Sequence, residues 1–282
     1  MAALLLIAEV VGSAYVFVCA VMFLAQRRIL FRPDRTPPDL ARAGVAAARA
    51  MTVTTADGLS LLAWYLPPAR DGGHVVLYLH GNAGHIGHRG FRFGPFQDLG
   101  WGVLLLEYRG YGGNPGRPSE AGLLIDARAG LTALLAKGFV PSTILLWGES
   151  LGSGLAVRLA VEQPVGAVLL ESPYTSITDI ARSRFPFVPV RWLLRDRFDS
   201  LRVIGNVRAP VLVMHGARDD IVPVEMGRAI YTAAPDPKQL WIAGEAGHID
   251  LVEAGAVRMA ADFVARMDRE AATVRAAERG VP

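Results

Sequence analysis

The sequence predicts an α/β fold, with a mostly parallel central sheet and helices on both faces. Three observations predict it. Short apolar runs bounded by turn residues recur at Val75–Leu79, Val103–Glu107, Thr143–Trp147, Ala167–Glu171, Val211–His215 and Gln239–Ile242. Runs that are apolar at every position suit strands buried on both faces, as in a parallel sheet. Helical periods separate them, clearest in Glu120–Leu135, Leu151–Glu162, Glu225–Ala233 and Val257–Ala271, and this alternation is the pattern of strand–helix–strand crossovers. Finally, 52% of the 282 residues are hydrophobic and only 20% are charged. That is enough apolar side chain to offset chain entropy, which excludes a disordered chain.

In chain order, residues 1–25 come first. Ala2 to Ala25 carries one charge, Glu9, and a helix of that length is about 36 Å long, enough to cross a ~30 Å hydrocarbon core with some tilt. No Lys or Arg precedes the run, it is longer than the apolar region of a signal peptide, and no small-residue cleavage site stands before Gln26-Arg27-Arg28. The expectation is a retained single-pass transmembrane anchor. Arg27, Arg28, Arg32 and Arg35 follow it, and the positive-inside rule puts the rest of the chain on the cytoplasmic side. Residues 26–49 read as a basic, Pro-rich linker at the surface, and residues 50–275 as one α/β domain. Met51–Thr55 and Ser60–Leu66 form a hairpin around Ala56-Asp57-Gly58. Ser172–Pro210 breaks the rhythm and is long for a plain connection. Its central part, about 173–208, reads as a cap insert. Phe185, Phe187, Trp192, Leu193, Leu194 and Phe198 would line an apolar acyl pocket there or pack on the sheet.

Several function classes are excluded. One cysteine, Cys19, leaves no intramolecular disulfide and no Cys-based zinc site. A net charge of +3, from 29 basic and 26 acidic residues, is too mild for a nucleic-acid partner. His80, His85 and His88 lie close together, but no carboxylate is spaced with them before Asp98; no metal is expected, and His85 and His88 suit the first turn of a helix. Gly110-Tyr111-Gly112-Gly113 lacks the ending of a phosphate-binding loop, so no cofactor is expected.

The chemistry sits at strand ends. Thr143–Trp147 runs into Gly148-Glu149-Ser150-Leu151-Gly152, and a helix follows. In that strand–turn–helix setting the glycines allow a sharp turn that lifts Ser150 clear of the sheet. A serine hydroxyl needs a base to act as a nucleophile. Among six histidines, His248 in Gly244-Glu245-Ala246-Gly247-His248 follows the last strand, in the chain order Ser, acid, His. The acid falls in His215-Gly216-Ala217-Arg218-Asp219-Asp220-Ile221-Val222-Pro223; spacing to Val222-Pro223 favours Asp219 over Asp220, with Asp250 third. An oxyanion site would pair the backbone N–H of Leu151, at a helix N-terminus, with one from His80-Gly81-Asn82-Ala83-Gly84: Asn82 first, Ala83 second.

These blocks resemble the α/β-hydrolase superfamily. HGNAG at 80–84, YRGYGGNPGRPSEAG at 108–122, GESLGSG at 148–154, ESPYTSI at 171–177, HGARDDIVP at 215–223 and AGHID at 246–250 occur in its order. The branch they are most similar to is that of membrane-anchored abhydrolase-domain and serine-aminopeptidase-like enzymes. The resemblance implies an α/β-hydrolase fold, Ser150 as nucleophile, Asp219 as acid, His248 as base, and oxyanion N–H groups near Asn82 and Leu151. The expected function is hydrolysis of carboxylic esters or thioesters of a small-molecule or lipid-like acyl substrate at a membrane. A peptidase or amidase of the same fold and a catalytically silent tethered module are the alternatives. Acyl length, leaving group and oligomeric state stay open.

Overall fold

The computed structural model describes residues 1–278 and 280 of the chain. An eight-stranded sheet runs in the order β10-β9-β8-β7-β4-β6-β3-β2. Its strands are β2 (Arg49–Thr54), β3 (Ser60–Leu66), β4 (Val75–Leu79), β6 (Gly102–Leu106), β7 (Ile144–Glu149), β8 (Ala167–Glu171), β9 (Val211–Gly216) and β10 (Lys238–Ala243). From β6 to β10 every pairing is parallel; β3 pairs antiparallel with both β6 and β2, as the hairpin at Asp57-Gly58 dictates. A separate two-stranded ladder joins β1 (Arg32–Pro33) to β5 (Ala83–Gly84). The helices are α1 (Ala2–Leu30), α2 (Phe93–Asp98), α3 (Glu120–Ala136), α4 (Leu151–Glu162), α5 (Ile177–Arg184), α6 (Val190–Leu193), α7 (Val224–Ala233) and α8 (Ala256–Glu278).

Alternation along each strand sorts side chains into two cores. On β4, Val75, Leu77 and Leu79 join one core with Leu155 and Leu159 of α4; Val76 and Tyr78 join the other with Phe96 and Phe263. The predicted strands sit within a residue or two of these bounds. The last helix runs on to Glu278, well past the expected Ala271, because its final turns are exposed and carry no apolar period from which to read their length.

Sheet topology creates the crevice for a site. After β4 the chain adds β6 on one side, then returns to place β7 on the other. Loops leaving the C-terminal ends of β4 and β7 therefore diverge and open a cleft, where open α/β sheets bind ligands.

The N-terminal helix is unlike the others. None of its residues is buried, and its apolar window has a mean hydropathy of 2.3. It continues beyond the apolar run to Leu30, ending with Arg27 and Arg28 in its last turn. Within the stretch predicted as a linker, Phe31 and Val45 are buried, and β1 pairs with the loop that follows β4. Of the aromatic residues in the insert, Tyr174 and Phe198 are buried, Phe198 in edge contact with Phe31. Phe187 and Trp192 are each 86% exposed, so neither packs on the sheet.

Candidate active site

Ser150 sits between β7 and α4 with φ +48° and ψ −115°. A non-glycine residue held there costs about 1–3 kcal/mol. Neighbouring bonds hold it: its N–H donates to Glu171 O (2.8 Å), and its carbonyl accepts from Ser153 N–H (2.9 Å) and the Ser153 hydroxyl (2.6 Å). The flanking glycines are sterically required. A Cβ on Gly152 would run into the Leu79 carbonyl, and one on Gly148 into the backbone of Gly152 and Ser153.

The structure brings Ser150, His248 and Asp219 together. His248 Nε2 lies 3.0 Å from Ser150 Oγ, and His248 Nδ1 lies 2.7 Å from Asp219 Oδ2. The other Asp219 oxygen accepts backbone N–H groups of Ile221 (2.9 Å) and Val222 (2.7 Å), which fixes the carboxylate plane. Asp220 is exposed, and Asp250 is taken up by Gly247 N–H at 2.7 Å; neither touches the imidazole. Burial pushes the Asp219 carboxyl up, but hydrogen bonds from His215 and His248 and the charge of His248 outweigh it and hold the group well below the carboxylate range.

Sequence reasoning did not single out His215 for this site. Fully buried, it places Nε2 2.9 Å from the Val222 carbonyl and 3.3 Å from Asp219 Oδ2. Val222 O can only accept, so Nε2 carries the proton and also faces the carboxylate. A polar residue inside an otherwise apolar strand was the available signal.

The N–H groups expected to meet an oxyanion are those of Leu151 and Asn82. Leu151 N–H opens α4 and has no intrahelical partner. Neither it nor Asn82 N–H donates to another group among the described residues. The Asn82 loop passes directly beside Ser150: a Cβ on Gly81 would lie 3.5 Å from Ser150 Cβ. Asn82 is pinned on several sides. Its carbonyl accepts from Tyr111 Oη (2.9 Å) and Arg32 N–H (3.0 Å), and its side chain donates to Leu30 O at 2.8 Å. Buried His80 braces the same loop, with one ring nitrogen 2.7 Å from Gly81 O and the other 3.1 Å from Glu107.

Beneath Ser150 lies a charged network that sequence reasoning missed. Buried Arg92 makes a two-pronged pair with Glu171 at 2.8 and 2.9 Å, and Trp147 Nε1 donates to Glu171 at 2.7 Å. Glu149, immediately before Ser150, accepts from Arg89 (2.8 Å) and Tyr78 Oη (2.7 Å). Burial alone would raise the Glu149 carboxyl; the charges of Arg89 and Arg92 and these hydrogen bonds hold it well below its ordinary value. An arginine between two phenylalanines, Phe91-Arg92-Phe93, was the visible hint. Arg92→Met strands Glu171 as an unpaired buried charge, and the expected loss is about 3–5 kcal/mol of stability. A denaturant titration in detergent checks it, and adding Glu171→Gln should restore part of the loss.

Both depressed carboxyls set an acid limit. An unfolded chain titrates near ~3.9 for Asp and ~4.3 for Glu, so it binds protons before folded Asp219 or Glu149 does. Their stabilisation is complete above that range and drains away as pH falls through it toward the lower folded values. Unfolding midpoints measured between pH 7 and pH 3 should fall with pH, and less steeply for Glu149→Gln.

The histidine cluster divides. His80 points inward, whereas His85 and His88 stack at 4.1 Å and meet Asp34, a carboxylate from the preceding segment. Ligand-type atoms of these three lie within 4.8 Å of one another. Gly87 N–H occupies His85 Nδ1 at 3.0 Å, so Nε2 keeps the ring proton and points it at Asp34, a poor arrangement for a metal. A cavity of about 1320 Å³ opens between α1 and residues 113–118, lined by Val21, Leu24, Arg28, Arg117 and Arg195 but by none of the triad side chains.

No family model matches the chain. It is 42% identical over 234 residues to the uncharacterised protein Rv2307c of Mycobacterium tuberculosis, covering 82% of this chain and 83% of that one. It is 34% identical over 198 residues to the lysophosphatidylserine lipase ABHD12 of Danio rerio, covering 63% of this chain and 51% of the lipase. Among solved structures, the Pyrococcus furiosus esterase Pf2001 matches with a TM-score of 0.66 at 19% identity, covering 84% of this chain and 98% of that one. At that identity the likeness establishes the fold.

Proposed function

The chain belongs to the α/β-hydrolase superfamily, and from that premise we propose that it is a membrane-anchored serine hydrolase that cleaves carboxylic ester or thioester bonds. The observation that carries the proposal is the relay Asp219–His248–Ser150, with contacts of 2.7 and 3.0 Å. Ser150 Oγ attacks the carbonyl carbon as its proton passes to His248 Nε2. Asp219 holds the Nδ1–H tautomer and stabilises the imidazolium, without itself taking the proton. The tetrahedral oxyanion is met by N–H groups of Leu151 and Asn82, and the N-terminal dipole of α4 adds to their field. Collapse breaks the bond to the alcohol or thiol, which leaves with the proton from His248. Water, deprotonated by the same imidazole, then releases the acid and restores Ser150.

Residues 1–25 serve as the anchor, 26–49 as the connecting segment, and 50–275 as the catalytic domain with its cap at 173–208. The apolar run of α1, broken by a single charge at Glu9, and the arginines at its exit support this division and a cytoplasmic catalytic domain. A lipid-like acyl substrate is in keeping with the lipase named among the relatives, although the chain spans only 51% of that lipase.

The test is a substrate panel on the full chain: p-nitrophenyl esters and acyl thioesters of rising length beside aminoacyl nitroanilides, with fluorophosphonate labelling of Ser150. Ester or thioester turnover with labelling is expected. Turnover of the anilides alone would overturn the bond class, and absence of labelling would leave a silent module.

A further inference from the structure

The insert holds a segment that the catalytic machinery does not use. Phe185–Leu194 reads Phe-Pro-Phe-Val-Pro-Val-Arg-Trp-Leu-Leu, apolar except for Arg191. Phe187 and Trp192 are its two exposed large hydrophobic side chains, and they stand together in one apolar run among prolines rather than scattered singly over the surface. From Ile180 to Arg195 there is no acidic residue, and Arg182, Arg184, Arg191 and Arg195 bracket the apolar tip.

This tip is docked along α1. Tyr15 Oη donates to the Phe187 carbonyl at 3.0 Å. Further down, Gln26 Nε2 donates to Leu193 O (3.1 Å), Gln26 Oε1 accepts from Arg195 N–H (2.8 Å), and Arg195 stacks over Phe23 at 4.1 Å. The depth of the tip follows from helix arithmetic. A ~30 Å hydrocarbon core takes ~20 helical residues, which counted from Ala2 ends near Val21. Tyr15 lies ~9 Å before that point along the axis, and elements lying in a membrane interface sit about 5–10 Å into the acyl boundary. If α1 spans the bilayer, the loop hydrogen-bonded to Tyr15 lies in the leaflet from which α1 emerges.

The insert also leads straight to the reacting groups. It leaves β8 at Glu171, whose carbonyl accepts the Ser150 N–H. At the end of α5, Arg184 Nη2 donates to the Ile221 carbonyl, two residues from Asp219. Ile221 and Ile249, beside Asp219 and His248, are 45% and 75% exposed, which extends the apolar surface to the catalytic rim.

We infer that Phe185–Leu194 is a second membrane contact that seats the catalytic rim on an anionic phospholipid leaflet. The substrate is accordingly a bilayer-resident long-chain ester or thioester, drawn from the leaflet to Ser150. The inference rests on the anchored-hydrolase reading above and adds the surface that presents the substrate.

The experiment uses the full chain in vesicles of phosphatidylglycerol and phosphatidylcholine. The Trp192 emission is isolated as the difference between the wild type and Trp192→Phe. Lipids carrying a doxyl quencher on the acyl chain are expected to quench it, and aqueous iodide is not. The exposed pair Phe187→Ser with Trp192→Ser should raise the apparent KM for a bilayer-embedded long-chain ester at least about tenfold with kcat nearly unchanged, while hydrolysis of a water-soluble acetate ester is unaltered. Iodide quenching of Trp192 in membrane-held protein, or an equal loss on both esters, overturns the inference. Release of the wild type by alkaline carbonate overturns the anchor and the docking together. The fluorescence arm needs no catalysis, so a failure of the hydrolase reading is registered separately, by absence of turnover on either ester.

Discussion

Ser150→Ala is expected to lower ester turnover about 10⁵–10⁶-fold, because triad members act as a unit and removing the nucleophile costs nearly as much as removing all of them. What survives would come from the N–H groups of Leu151 and Asn82 acting on bound substrate. Ser150 Oγ meets His248 Nε2 at 3.0 Å, while the strained backbone is held through main-chain bonds to Glu171 and Ser153. The variant should therefore keep its fold, with an unchanged unfolding midpoint and no fluorophosphonate label. Turnover within tenfold of wild type would mean that a different group carries the reaction.

Asp219→Asn is expected to cost about 10⁴-fold in kcat at neutral pH, for a reason particular to this site. One carboxylate oxygen is committed to the N–H groups of Ile221 and Val222. An amide must put its carbonyl there, which turns its NH₂ toward His248 Nδ1 and His215 Nε2. His248 would then accept at Nδ1 and hold its proton at Nε2, facing Ser150, the wrong tautomer for a base. The same NH₂ would confront the His215 proton, whose place beside the Val222 carbonyl at 2.9 Å leaves it no escape. Steady-state kinetics from pH 6 to 10 measure the loss. A large fall in kcat with KM little moved is expected, together with a lower unfolding midpoint.

How far the sequence carried the fold follows from what each element buries. β4, β7, β8 and β9 are covered on both faces, so their apolar runs could be read directly. The end of α8 was not legible, because its described last turns are exposed. Ser150, His248 and Asp219, which the structure brings together, were legible because each sits at a strand end with its own turn residues. Between Asp219 and Asp220 the spacing to Val222-Pro223 favours the first, and the turn buries Asp219 and exposes Asp220. The Arg92–Glu171 and Glu149–Arg89 pairs were hidden because their partners lie far apart in sequence, and no local period announces a pairing across a sheet. Asp34 reached His85 in the same unannounced way. In the insert, aromatic content suggested a lining for an acyl pocket, yet composition does not say which way a side chain points, and Phe187 and Trp192 point outward.

The joint between α1 and the loop after β4 bears on how this enzyme can be handled. Leu30, the last residue of the apolar helix, gives its carbonyl to the Asn82 side chain, and Arg32 N–H holds the Asn82 carbonyl. Trimming the chain after Leu30 to obtain a soluble fragment would spare Ser150, His248 and Asp219 and still unfasten one side of the Asn82 loop. The apolar helix and the Asn82 loop share this hinge pin, so a fragment meant to report native rates has to begin upstream of it.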